Sequence, residues 1–133
     1  MYNITLMQDI VSVNHPHDAA RVRLGYDLEM PFIPVPDTWI NIGGRRYKIA
    51  RIEYLAEPVA VVAMTRRNDF DHASGSLSEM TMGEVLAFLN YLEIQIEGLG
   101  WFIVEPGILP EFHKRLEILE QELAYAESIL EEE

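Results

Sequence analysis

The chain has no cysteine among its 133 residues, which excludes a disulfide framework and thiolate chemistry together. It also lacks any apolar run approaching the roughly 20 residues that a bilayer-crossing helix needs. Its opening residues, MYNITLMQDI, have neither the basic segment nor the long apolar core of a signal peptide. A soluble, cytoplasmic protein without a membrane partner is the expectation. Basic residues are scarce as well, 10 against 22 acidic ones, for a net charge of −12. The scarcity is local: residues 1–70 hold eight groups of each sign, whereas 71–133 hold fourteen acidic groups against Lys114 and Arg115 alone. Such a surface repels phosphates and disfavours long nucleic acid as a partner, but it suits a basic protein partner or simply solubility.

Signatures of catalysis are missing too. There is no Gly-x-x-x-x-Gly-Lys-[Ser/Thr] loop, no Gly-x-Gly-x-x-Gly fingerprint, and no spacing that implies general acid–base work or an activated nucleophile. No catalytic residue and no cofactor is expected. His15 and His17 flank Pro16 beside Asp18, with His72 elsewhere, but spacing specifies no third ligand, so a histidine-bearing turn is preferred to a metal site.

What is present is an ordinary globular composition, 49% hydrophobic and 24% charged, at a length suited to a single domain spanning 1–133. Residues 1–67 are β-rich and charge-balanced. Tyr2, Ile4 and Leu6 alternate, then Ile10, Val11 and Val13 continue with a change of parity that predicts a bulge near Asp9. Val22, Leu24, Tyr26, Leu28 and Met30 alternate cleanly with charged neighbours. Pro31 to Asp37 carries three prolines and cannot be a central strand; Phe32, Ile33 and Val35 are expected to plug a barrel end. Gly43-Gly44 predicts a tight hairpin, and Val59 to Arg66 reads as a strand buried on both faces. The fold class is therefore α+β: a small antiparallel β-barrel or curled sheet of five to six strands, SH3-like, followed by two helices.

Residues 68–109 supply a loop, a helix and a short strand. The helix opens on a capping box, either Ser76…Glu79 or the preferred Thr81…Glu84, is apolar around most of its girth, and ends at Gly98 or Gly100 before a strand at Trp101 to Val104. Residues 110–133 are expected to form an acidic amphipathic helix with Pro110 at its first helical position. Its seam of Phe112, Leu116, Leu119, Leu123, Ala126 and Leu130 is spaced 4, 3, 4, 3 and 4.

Two kinds of site follow. The seam residues Phe112, Leu116, Leu119, Leu123 and Leu130 either cover the preceding helix or pair with a second copy. Parallel pairing would stack the triple-glutamate ends and oppose Glu122 with Glu127, so a dimer is expected to be antiparallel. Separately, Arg66, Arg67, His72, Ser74, Gly75 and Ser76 lie between a strand end and a helix start, where a small anionic ligand such as a nucleotide is favoured. Trp39, Tyr47 and Tyr54 are interleaved with Arg45, Arg46, Lys48 and Arg51, a pattern that can stack a base. The leading expectation is a non-enzymatic binding or inhibitor-type protein that self-associates or contacts a protein partner through its acidic helical half. The alternative is a protein that binds or sequesters a small anionic ligand.

Overall fold

Alternation of apolar and polar side chains decides the centre of the fold. A computed structural model describes residues 1–11, 21–56, 59–66, 68–69 and 79–132. Strands β1 (Tyr2–Val11) and β2 (Arg21–Met30) form its longest ladder. Ile4, Leu6, Gln8 and Ile10 of β1 are buried, directly opposite Leu28, Tyr26, Leu24 and Val22 of β2. The ladder runs without interruption from Tyr2 opposite Met30 to Val11 opposite Arg21, so the bulge expected near Asp9 is absent. Parity never changes, because the inward residue at that point is Gln8. On the other face, Asp9 takes a two-pronged hydrogen bond from Arg23 directly across the ladder, at 2.7 and 3.0 Å.

The remaining strands are β3 (Trp39–Ile42), β4 (Arg45–Ala56), β5 (Val59–Thr65), β6 (Asn68–Asp69) and β7 (Phe102–Glu105). The curled sheet has the order β3-β4-β5-β1-β2-β7, with β6 also pairing β1. Most neighbours are antiparallel, but β5 and β6 run parallel to the central β1, so the sheet is mixed. The proline-rich segment 31–38 explains this. Pro31, Pro34 and Pro36 have no N–H to donate, so the chain leaves β2 there and begins a new run of strands, of which β5 returns along the free side of β1. Asp37 N–H, past the prolines, donates to the Ile49 carbonyl of β4 at 2.7 Å. Phe32 and Val35 in that segment are exposed, and Pro34 is the buried residue, so the expected aromatic and aliphatic plug does not form.

The hairpin of β3 and β4 turns on Gly43 and Gly44, both at positive φ (57° and 85°), which suits glycine at each position of a two-residue loop. Asn41 Oδ1 accepts from the Gly44 N–H at 3.0 Å and holds the turn. A bulge does occur in β4, between Ile49 and Arg51, and bends that strand over the sheet. In β5, Val62, Ala63, Met64 and Thr65 are buried in succession, so both faces of its second half are covered.

Helix α1 (Met82–Glu93) starts at the expected box: Thr81 Oγ1 accepts from Glu84 N–H, and the Glu84 carboxylate accepts from Thr81 N–H. Its Val85, Phe88 and Leu92 close the core over Ile4, Leu6, Leu24 and Ile49. At its end the helix widens into a π turn over Ile94–Gly98, sealed by a Leu99 N–H to Ile94 carbonyl bond of 3.1 Å. Gly100, at φ 89°, then reverses the chain into Trp101 and β7. Helix α2 (Leu109–Glu132) inserts Phe112 against Phe88, the ring centroids 4.4 Å apart. Among the described residues, no helix is long and apolar enough to cross a membrane.

Candidate functional site

The π turn has a local consequence for the core. It carries Gln95 to full burial beside the exposed Ile94. A buried amide must find partners or cost about 1–3 kcal/mol. Gln95 Oε1 accepts from Gln8 Nε2 and from the Tyr47 hydroxyl, each at 2.9 Å. The Tyr47 ring in turn meets Trp101 at 5.1 Å, and Trp101 meets Tyr26 at 5.5 Å. Burial raises the Tyr47 phenol above its ordinary value. The bond to Gln95, the nearby Trp101 indole and the Arg45 charge offset that rise in part. The hydroxyl therefore stays protonated and donates at neutral pH. Two donors of this group, Gln95 Nε2 and Trp101 Nε1, have no hydrogen-bond partner among the described residues.

Gln8 and Tyr47 are also walls of a surface cleft of about 430 Å³. Its other walls are Trp39, Arg45, Arg46, Lys48, Thr65, Arg66 and Tyr91. The sheet assembles it. Trp39 lies opposite Lys48 across the β3–β4 hairpin, and the Arg66 N–H donates to the Lys48 carbonyl at 2.8 Å, tying the end of β5 to β4. Two groups of residues that are separate in the sequence, Trp39 with Arg45 to Lys48 and the Arg66 strand end, thus share one cleft. The Arg46 guanidinium lies 4.8 Å from the Trp39 ring centroid, Lys48 Nζ 5.8 Å from the same ring, and Arg45 5.7 Å from that of Tyr91. Lys48 has Asp37 at 3.6 Å, whereas no described carboxylate lies within 4.0 Å of Arg45, Arg46 or Arg66. A second cavity of about 520 Å³ lies between Asn3, Thr5, Asp27, Glu29 and Val61, and has the opposite charge.

The other residues expected near Arg66 (Arg67, His72, Ser74, Gly75 and Ser76) lie outside the described residues, as do His15 and His17. Tyr54 is exposed and does not line the cleft, and Arg51 pairs with Glu53 at 2.8 Å. Gln8, Thr65, Tyr91 and Gln95 were not legible as site residues. The available signal was Gln8 itself: keeping the parity of Ile4, Leu6 and Ile10 places it on the buried face, where an amide needs a partner. Among the described residues, no three His, Asp or Glu side chains converge on a metal-sized site.

The seam of α2 divides in two. Phe112 is fully buried, Leu116 and Leu119 are half-buried against the core, and Arg115 donates twice to the Met80 carbonyl, at 3.0 and 3.3 Å. From Glu120 to Glu131 every residue is exposed. That stretch carries Leu123 (50% exposed), Tyr125 (70%), Ile129 and Leu130 (71%), with Ile118 one turn earlier. At 100° per residue these fall on one broad apolar arc, interrupted by Glu122, with Glu120, Glu127 and Glu131 on the opposite side.

Comparison of the chain with known protein families, with curated proteins and with solved structures finds no match.

Proposed function

We propose that the protein is a non-enzymatic binding protein that works as a two-fold dimer, paired through the free half of α2. The observation that carries this reading is the exposure of Leu123 and Leu130 on a seam whose Phe112 is buried at home and whose Leu116 and Leu119 are only half covered there. Leu123, Tyr125, Ile129 and Leu130 together form a contiguous exposed apolar patch, the kind of surface that marks a protein contact.

For a second copy, charge bears on the direction of the pair. The free half carries Glu120, Glu122, Glu127 and Glu131 to Glu133 and no basic residue, so a parallel pair stacks the triple-glutamate ends, whereas an antiparallel pair moves those ends apart while leaving Glu122 level with the partner's Glu127. Antiparallel pairing places Leu119 opposite the partner's Leu130 and Leu123 opposite the partner's Ala126. The glutamate end then lies within a turn of Lys114 and Arg115, the only basic residues of the second half.

Sedimentation equilibrium across a concentration series tests this. The expected mass is twice the 15.3 kDa of the chain, falling to one copy for the Leu123→Glu, Leu130→Glu variant, which remains folded because both side chains are exposed at home. A single-copy mass for the parent at every concentration contradicts the proposal. If the parent is single and a basic protein adds to it through the same leucines, the face is a heterotypic one and the dimer reading is lost.

A further inference from the structure

We infer that the cleft lined by Trp39, Arg46, Tyr47 and Arg66 binds a small anionic ligand that carries a planar ring, and that a nucleotide is the chemical class that meets both demands.

The cleft is positively charged. Arg45, Arg46, Lys48 and Arg66 gather around one opening, and only Lys48 has a described carboxylate within reach. Like charges collected on one cleft repel one another until an anion enters, and guanidinium groups present paired donors that match phosphate oxygens. The assembly is a product of the fold: β4 contributes three of the cations, and the backbone bond from Arg66 to Lys48 brings in the fourth.

Its lining is also aromatic. Trp39 is 53% exposed at the cleft, although a tryptophan on a sheet ordinarily buries most of its surface. Arg46 packs at its ring, and Tyr91 and Tyr47 complete the aromatic lining. Planar rings beside cations stack a nucleobase whatever its identity. The floor is built rather than incidental. Gln8 is 2% exposed, and both it and Tyr47 are held by the same Gln95 oxygen, so these two lining side chains are fixed before any ligand arrives. A volume of about 430 Å³ lies within the range of small-molecule sites, and the acidic second half keeps longer nucleic acid away. Inorganic phosphate would satisfy the cations and leave the rings unused; a nucleoside would do the reverse.

Titration followed by calorimetry and tryptophan fluorescence distinguishes these ligands. The probes are ATP, GTP, CTP and UTP, the four nucleosides, and tripolyphosphate, all without divalent cations. At least one nucleotide is expected to bind at least tenfold more tightly than both tripolyphosphate and its own nucleoside. It should also quench the exposed Trp39, while Trp101 at 1% exposure contributes little to the change. Arg46→Ala with Arg66→Ala should weaken that nucleotide at least tenfold, and Trp39→Ala should bring it down to the affinity of tripolyphosphate. All three side chains are exposed, so circular dichroism of the variants should match the parent. Tripolyphosphate binding as tightly as every nucleotide overturns the assignment, as does a Trp39→Ala variant that binds the nucleotide unchanged, or the absence of binding at millimolar ligand. The Leu123→Glu, Leu130→Glu variant should bind with the parent's affinity, because the cleft is formed within one chain; loss of binding there also overturns the assignment.

Discussion

Phe88 and Phe112 pack with ring centroids 4.4 Å apart and planes inclined by 36°, and this contact anchors α2 to the rest of the molecule. Two turns further on, at Leu119, the core ends while the helix and its apolar seam continue. One periodic pattern therefore runs from core to exposed surface, and the point of change is set by what lies beside it.

That division makes the seam unequal under mutation. Phe112→Ala empties a fully buried site and should cost about 3–5 kcal/mol in urea unfolding. Leu130→Ala should leave the stability of a single copy within about 0.5 kcal/mol of the parent, since nothing at home covers it. Both must be measured at dilution that separates copies. Equal losses at the two positions would mean that α2 is docked along its whole length.

The amide pair beneath the cleft offers a second test. Gln95→Leu removes the acceptor shared by Gln8 and Tyr47 and should cost about 1–3 kcal/mol for each donor stranded. Adding Gln8→Leu should recover part of the loss, because one stranded donor is then gone, so the two changes should be less than additive. Strict additivity would show that the two side chains do not interact.

Gly25 reports on the edge strand β7. A Cβ there would lie 2.8 Å from the Phe102 ring and 2.9 Å from Val104, both on β7. Gly25→Ala should cost about 1–3 kcal/mol and raise hydrogen exchange in β7 ahead of β1. Unchanged protection across Phe102 to Glu105 would contradict the close packing.

Tyr47 carries a pH dependence whose direction follows from its raised pKa. Below its ordinary value of 10.0 the phenol is neutral in both folded and unfolded chains, and its contribution to stability is intact. As pH rises past that value the unfolded chain ionises first, so stability falls until the higher folded value is passed. Urea unfolding between about pH 8 and pH 11 should show a slope above pH 10 that Tyr47→Phe reduces. A parent curve parallel to that of the variant would place the ionisation elsewhere.

Periodic elements were legible in the residues themselves. The alternation of Val22 to Met30, the Thr81–Glu84 box, the Gly43-Gly44 turn and the start of α2 are each written over a few consecutive positions, where local geometry decides. Three features depend on partners distant in sequence. Gln8 interrupts an apolar pattern and so suggests a change of face, yet it is turned inward because Gln95, 87 positions away, receives it. The parallel neighbour of β1 is a matter of where the chain returns, which no short stretch encodes. Arg66 joins Trp39 and Arg46 in one cleft only because β5 pairs with β4. The seam of α2 was visible in full, but it passes from core to free surface where α2 runs beyond the start of α1, whose preceding Met80 carbonyl already receives Arg115.

The antiparallel pairing proposed for the free half of α2 sets a distance between the two copies that can be measured. The chain has no cysteine, so Glu131→Cys provides a single attachment point for a spin label on an exposed residue. Antiparallel pairing of Leu119 with the partner's Leu130 separates the two labelled positions by about 20 Å, from the rise of 1.5 Å per residue and a helix spacing of 8–10 Å. Electron–electron dipolar spectroscopy should show that distance, and Leu123→Glu should abolish it. A separation of about 10 Å, as side-by-side parallel helices require, or no dipolar coupling between copies at all, would contradict the account.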